Sequence, residues 1–316
     1  MSIKIIGTGA YVPERILTND DLAQMVETND EWIMQRVGVK ERRVSETETA
    51  ADFAIKAAEQ AMKNAGIAPE ALDLIISATI SNETRCPTVS GLVQKAIGAT
   101  CPGFDLNSAC SGFMFALDTA VSYITRGMKN ILVIGTERLS KLVDWTDRST
   151  CVIFGDGAGA AVVTQGEGYL SSMLYTAGGN EVIEIPSHSG MSPFFKGEIK
   201  HPYIFMDGQE TFKFAVNKIV GDIKAVAEKA GIELSDIDHV VLHQANIRII
   251  DFAAKRLGIP KDKFVINIHK YGNTAAASVP MALAELDASG NLKRGDIVAM
   301  SAFGGGLSSA ACILKW

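Results

Sequence analysis

The sequence predicts an α/β protein made of two related halves, each with apolar strands covered by helices on both faces. Two observations carry this reading: one helix-to-strand unit is written twice, and the strands that follow it are unbroken apolar runs. The first copy is Asn64-Ala-Gly-Ile-Ala-Pro-Glu-Ala-Leu-Asp73-Leu-Ile-Ile76, and the second is Lys229-Ala-Gly-Ile-Glu-Leu-Ser-Asp-Ile-Asp238-His-Val-Val241. Gly66 pairs with Gly231 and Asp73 with Asp238, an offset of 165 (231 − 66). A strand that is apolar on every face belongs to a sheet buried on both sides, the setting of parallel pairing.

Each element has a local reason. Ala-rich amphipathic stretches over 53–65 and 213–230 predict helices, and Gly66 and Gly231 stand where a helix ends in the left-handed region open to glycine. Phe104-Asp-Leu then precedes a small-residue segment, a helix over 111–126 and a strand over 130–135. In the second copy Val265-Ile-Asn-Ile precedes another such segment, a helix over 274–289 and a strand over 296–301. The halves accordingly span about 1–165 and 166–316. Between them 176–210 is rich in Gly and Pro, carries Phe194, Phe195, Tyr203 and Phe205, and has no clear period until its end. A connection of that length is functional, mobile or an ordinary surface excursion.

Composition bounds the function. The 316 residues hold 30 Lys and Arg against 36 Asp and Glu, a net charge of −6, which speaks against a nucleic-acid binder relying on general basicity. With 47% hydrophobic and 21% charged residues the chain buries a large core, and disorder is excluded as its main state. The apolar N-terminal stretch is broken by Gly7, Gly9 and Pro13, and no run approaches the roughly 18 residues of a spanning helix. The chain therefore reads as soluble and cytoplasmic, without a membrane partner. Five cysteines with no C-x-x-C pair, and no His at zinc-ligand spacing, argue against a disulfide scaffold and a structural zinc site.

Three junctions can carry chemistry. Cys110 falls between a short strand and a helix whose first turn is built of small residues. A helix N-terminus favours thiolate over thiol, so a lowered thiol pKa is expected there. On this pattern alone Cys110 is either a nucleophile or a buried structural cysteine. His243 follows an apolar strand at once, and Asn273 opens the following helix in Tyr271-Gly-Asn-Thr274. Each also reads as an ordinary core histidine or N-cap. The duplication allows these junctions to face one another across a pseudo-twofold interface. Phe154-Gly-Asp-Gly-Ala-Gly-Ala and Phe303-Gly-Gly-Gly306 are either anion-binding stretches or places of close packing. Gly7-Thr-Gly9 lacks the third glycine of a dinucleotide fingerprint, and NAD is discounted.

Taken together, Asn107-Ser-Ala-Cys110-Ser-Gly-Phe113, His243-Gln-Ala-Asn246-Ile-Arg248, Gly272-Asn273-Thr-Ala-Ala-Ala-Ser-Val-Pro280 and Phe303-Gly-Gly-Gly306 resemble the β-ketoacyl-acyl-carrier-protein synthase III family, the initiating condensing enzymes of bacterial fatty-acid synthesis. The likeness runs the whole chain, including Thr18-Asn-Asp-Asp-Leu22 and Asp30-Glu-Trp32-Ile33. It implies the thiolase fold, a duplicated α/β unit in a five-layer αβαβα arrangement, and a homodimer. It also implies a catalytic triad of Cys110, His243 and Asn273, with the N–H groups of Cys110 and Gly306 as an oxyanion hole. No cofactor is implied; acyl-CoA and malonyl-acyl carrier protein are the substrates.

For recognition the resemblance points to Trp32, Arg36, Arg148 and Asn246 for CoA. For the acyl carrier protein it points to Lys213, Gln244, Ala245, Asn246, Ile247, Arg248 and Lys255. Cys86 takes the position that reaches the partner subunit's acyl pocket, where the family often has Phe, so longer or branched primers are expected to be tolerated. Cys312 lies in an apolar stretch and reads as packing rather than as the second cysteine of a thiolase. No carboxylate base of the hydroxymethylglutaryl-CoA synthase kind stands within 107–113. A starter-unit synthase of a polyketide or quinolone pathway, and a catalytically silent carrier-binding subunit, remain as alternatives.

Overall fold

The computed structural model describes residues 2–186, 194 and 202–316. Two sheets form the frame. The first has strand order Ser2–Tyr11, Asp156–Gly166, Asn130–Arg138, Leu74–Ala78, Gly103–Leu106. The second runs Tyr169–Thr176, Ser308–Lys315, Ile297–Gly304, His239–Leu242, the same order in the second copy with its fifth place reduced to one bridge between Val240 and Phe264. Helices 50–65 and 89–97 pack outside the first sheet, and helices 208–230 and 247–257 outside the second. Between the sheets lie Gly112–Thr125 and Ser278–Ala288. This is the five-layer thiolase arrangement with duplicated halves.

The two middle helices are buried because they are apolar almost all round, as a helix with a sheet on either side requires. Phe113, Met114, Leu117 and Leu283 are enclosed there, each stabilising the fold by about 1.5–3 kcal/mol. Gly66 and Gly231 end their helices at φ 66° and 69°. The paired aspartates have paired work: Asp73 Oδ2 accepts the N–H groups of Lys129 and Asn130, and Asp238 Oδ2 accepts that of Ile297. Each thereby ties the helix-to-strand turn to the neighbouring strand.

Three expectations are corrected. Pairing is parallel only at the sheet centres, Leu74–Ala78 with its two neighbours and His239–Leu242 with Ile297–Gly304; the outer pairs are antiparallel. No crossover helix separates Ile297–Gly304 from Ser308–Lys315, so those strands turn back directly. The helix expected over 274–289 is a 3₁₀ turn at Ala275–Ala277 followed by the α-helix Ser278–Ala288. The 213–230 helix begins at Gly208, where Asp207 caps the N–H groups of Gln209 and Glu210. In the 176–210 connection Ile183–Glu184 pairs with Phe205–Met206, and Phe195 lies outside the described residues.

Gly7 and Gly9 have a packing role: a Cβ on either would fall within 2.4 Å of a carbonyl oxygen, Ala61 or Ala57, on helix Ala50–Ala65. The Phe154–Ala160 stretch is likewise a site of close contact. A Cβ on Gly155 would meet the Tyr271 carbonyl oxygen at 2.2 Å, and one on Gly159 would meet Met281 N at 2.5 Å.

Candidate active site

Cys110 is presented by a sharp turn. After strand Gly103–Leu106, Asn107 Oδ1 accepts the Ala109 N–H at 3.1 Å, and Ala109 is held at φ 45°. An alanine rarely adopts that conformation, and such strain is held where surrounding structure fixes it. Cys110 sits in the 3₁₀ turn Ala109–Ser111, and the helix starts at Gly112.

The lowered thiol pKa expected of that helix end is not what the structure holds. Enclosure of the sulfur, and after it the charge of Glu137, push the thiol up to about 12. Desolvation of a thiolate in this closed site outweighs the helix terminus. No carboxylate stands within 107–113, and Glu137 comes from strand Asn130–Arg138, distant in sequence.

His243 leaves the end of His239–Leu242 with its N–H on the Ser301 carbonyl at 2.9 Å and its ring edge-on to Phe303, centroids 5.2 Å apart. Burial lowers its pKa to about 3, so the imidazole is neutral. Its Nδ1 is buried and meets no partner among the described residues. Asn273 is fixed by its backbone, donating to the Ile153 carbonyl at 2.9 Å and accepting from Gly155 N–H at 3.0 Å. Its Oδ1 takes the Ala275 N–H at 2.8 Å.

These three side chains, delivered from three strand-to-helix junctions and both halves, line one cavity of about 200 Å³. Gly304 and Gly305 share its wall; Gly306 does not, and its carbonyl accepts the Gly179 N–H at 2.9 Å instead. A Cβ on Gly304 would lie 2.8 Å from Cys110 Cβ and 2.9 Å from its N, so glycine alone fits there. Gly306, the expected oxyanion donor, stands one residue beyond the two glycines that line the cavity.

The remaining expected residues divide. Arg148 lies over the Trp32 ring at 4.9 Å and Arg36 at 6.0 Å, while Arg148 Nη1 also donates to the Glu27 carbonyl. Asn246 lines the cavity, caps helix 247–257 and donates Nδ2 to the Arg36 carbonyl at 2.9 Å, joining the Trp32 cluster to the chemistry. Ala245 also lines it, and Ile247 packs against Gly38.

Gln244 is a correction. Its side chain is buried and spans four backbone groups, donating to Leu242 and Val265 carbonyls and accepting from Asn267 and Ile268 N–H. It braces the histidine strand and has no surface to offer a carrier protein. Arg248 and Lys255 are exposed on helix 247–257, with Arg248 over the Phe212 ring; Lys213 is exposed and paired with Glu210. Cys86 is exposed and outside the cavity. Cys312 is fully buried on its strand, as its apolar setting predicts.

Sequence reasoning missed most of the apolar wall: Ile80, Leu139, Ile153, Ile183, Ile185, Ile204 and Met206. The spacing Ile183-Glu-Ile185 was a signal, since alternation puts both isoleucines on one side.

Two segments match family descriptions: residues 104–178 match 3-oxoacyl-(acyl-carrier-protein) synthase III, and 227–316 match its C-terminal part. A β-ketoacyl-(acyl-carrier-protein) synthase III of Clostridium acetobutylicum is 48% identical over 322 residues, covering 100% of this chain and 99% of that protein. The chain belongs to the β-ketoacyl-(acyl-carrier-protein) synthase III family of thiolase-like condensing enzymes. The crystal structure of 3-oxoacyl-(acyl-carrier-protein) synthase III from Aquifex aeolicus superposes with TM-score 0.93 at 46% identity, covering 99% of this chain and 100% of that one. A priming β-ketosynthase from the R1128 polyketide biosynthetic pathway superposes at the same TM-score with 34% identity, over 99% of this chain and 96% of that one. Family membership thus fixes the class of chemistry and leaves the primer open. Among the described residues, no helix is long and apolar enough to cross a membrane.

Proposed function

We propose that this protein primes fatty-acid synthesis by condensing an acyl-CoA primer with malonyl-acyl carrier protein through an acyl-Cys110 intermediate. The observation that carries the reading is the convergence of Cys110, His243 and Asn273 on one narrow cavity from both halves.

With the thiol near 12 and the imidazole near 3, both groups are neutral at pH 7. No ion pair waits in the resting site. The thiol proton passes to His243 as sulfur attacks the thioester carbonyl, and it leaves on the sulfur of departing CoA. The oxygen of each tetrahedral intermediate rests on the Cys110 N–H and the Gly304-Gly305 backbone beside it, a stabilisation worth about 3–4 kcal/mol per donor.

Malonate removes the need for a base at carbon. As the C–CO2 bond breaks, its electron pair forms an enolate whose oxygen is held by His243 and Asn273. The enolate carbon then attacks the acyl-enzyme, and the Cys110 thiolate departs and takes from solvent the one proton that the overall reaction consumes. Neutral donors suffice, which suits a histidine that burial keeps uncharged. We further propose that Trp32, Arg36, Arg148 and Asn246 receive CoA. Arg248, Lys255 and Lys213 form the basic face for the acidic carrier, and exposed Cys86 leaves room for primers longer than acetyl at a dimer interface.

Incubation with acetyl-CoA followed by intact-mass measurement tests the first half-reaction. The protein should gain one acetyl group, and Cys110→Ser should abolish that gain. Malonyl-acyl carrier protein should then yield acetoacetyl-carrier product and CO2. A protein that never acylates refutes the reading in favour of a silent subunit. Acylation only by an unusual starter, without acetyl or simple branched primers, favours the secondary-pathway role that the polyketide relative represents.

A further inference from the structure

The two halves each contain a turn of the same design. Asn107 Oδ1 accepts from Ala109 N–H, and Asn273 Oδ1 accepts from Ala275 N–H; Ala109 and Ala275 stand at φ 45° and 43°. Both turns run through a 3₁₀ segment into a middle helix. The step between them is 166 (273 − 107), which places Ala276 on Cys110.

The strand beside each turn corresponds as well. Ile131 pairs with Leu74, and Val298 with His239, a step of 167 (298 − 131) that carries Glu137 onto Gly304. In the first turn, Gly304 leaves open the space next to the Cys110 N–H. In the second, the register puts the buried Glu137 carboxyl group in the equivalent place, on a strand packed so closely on this turn that a Cβ on Gly135 would lie 2.1 Å from the Ala276 carbonyl oxygen. Ile80 N–H and the Ser81 and Thr79 hydroxyls hold the same carboxyl group, which is wholly buried. Glu137 does not line the cavity.

We infer that Glu137 is a positioning residue for the condensation step: its carboxyl group occupies, in the second turn, the place that a substrate oxygen takes beside Cys110. It thereby fixes the turn that aims Asn273. This rests on the proposed function, because Asn273 matters there only as an enolate donor. Ser81 adds a second link, since its hydroxyl also accepts the Arg138 N–H at 2.8 Å. The turn bearing Asn273 is thus anchored to the segment that follows strand Leu74–Ala78.

The inference predicts a split between half-reactions that lost folding would not produce. Glu137→Gln keeps the shape and removes the acidic group. Acylation of Cys110 by acetyl-CoA should stay within about threefold of wild type. Condensation with malonyl-acyl carrier protein, counted per acylated protein, should fall on the order of 100-fold, the scale of a misplaced reacting group. Ser81→Ala, which keeps the carboxyl group and loses one partner, should show the same split at about three- to tenfold. It decides the matter if Glu137→Gln does not accumulate as folded protein.

Equal losses in both half-reactions, or none in either, overturn the inference. Wild-type protein that acylates but never condenses overturns the proposed function and this inference together. Wild-type protein that condenses beside a variant lacking the split overturns this inference alone.

Discussion

The inner end of the cavity and the Trp32 cluster outside it are built by different means. At the inner end Cys110, His243 and Asn273 are held by backbone: a strained alanine, a bond from the histidine N–H to Ser301, and two backbone bonds around Asn273. The side chains there are enclosed and their titrations are displaced by burial. In the Trp32 cluster, joined to the cavity through Asn246, Trp32, Arg36 and Arg148 meet one another through their side chains, with both guanidinium groups exposed. The geometry around Cys110, His243 and Asn273 is thus fixed by the fold, while the Trp32 cluster is built of long side chains that reorient at little expense to the core.

The comparison is sharpened most by Asn273→Ala. Removing one preorganised donor should reduce condensation by about 3–4 kcal/mol of barrier, a few hundredfold, while acylation of Cys110 persists. Product formation and intact mass read the two steps separately, and equal losses would mean that the inner end does not divide its labour.

Next comes a pH effect confined to the inner end. His243 has its pKa depressed from 6.5 to about 3, so the unfolded chain binds a proton more readily across that interval. Its contribution to stability is complete above pH 6.5 and is lost as pH falls toward 3, by about 1.4 kcal/mol for each unit. Denaturant melts of wild type and His243→Asn at pH 7.5 and 5.5 should show a gap that moves in the mutant's favour on acidification. A gap that stays constant would mean the imidazole is not held neutral.

The smallest effect belongs to the Trp32 cluster. Trp32→Ala should raise the KM for acetyl-CoA roughly fivefold, about 1 kcal/mol for an exposed cation–aromatic contact, and leave kcat unchanged. A fall in kcat instead would make Trp32 part of the rigid end.

What was legible in the sequence follows the same division. Gly66 with Gly231 and Asp73 with Asp238 are local signals with local geometry, and the duplicated fold was readable from them. Cys110, His243 and Asn273 were readable as residue types out of place at strand ends. The thiol's pKa was not, because Glu137 and the enclosing wall come from distant segments. Gln244 was named for the carrier protein by the family resemblance, yet four backbone groups claim its amide. Gly306 came from the family resemblance, and a run of three glycines gives no clue to which of them lines the cavity, where Gly304 and Gly305 stand.

The Arg148 guanidinium rests 4.9 Å above Trp32 and is pinned to the Glu27 carbonyl. A purine sandwiched between the two needs two van der Waals layers, about 7 Å in all. A ring stacked between Trp32 and Arg148, as proposed for the nucleotide end of CoA, would have to undo that latch, trading the arginine's tether for a stacked ring.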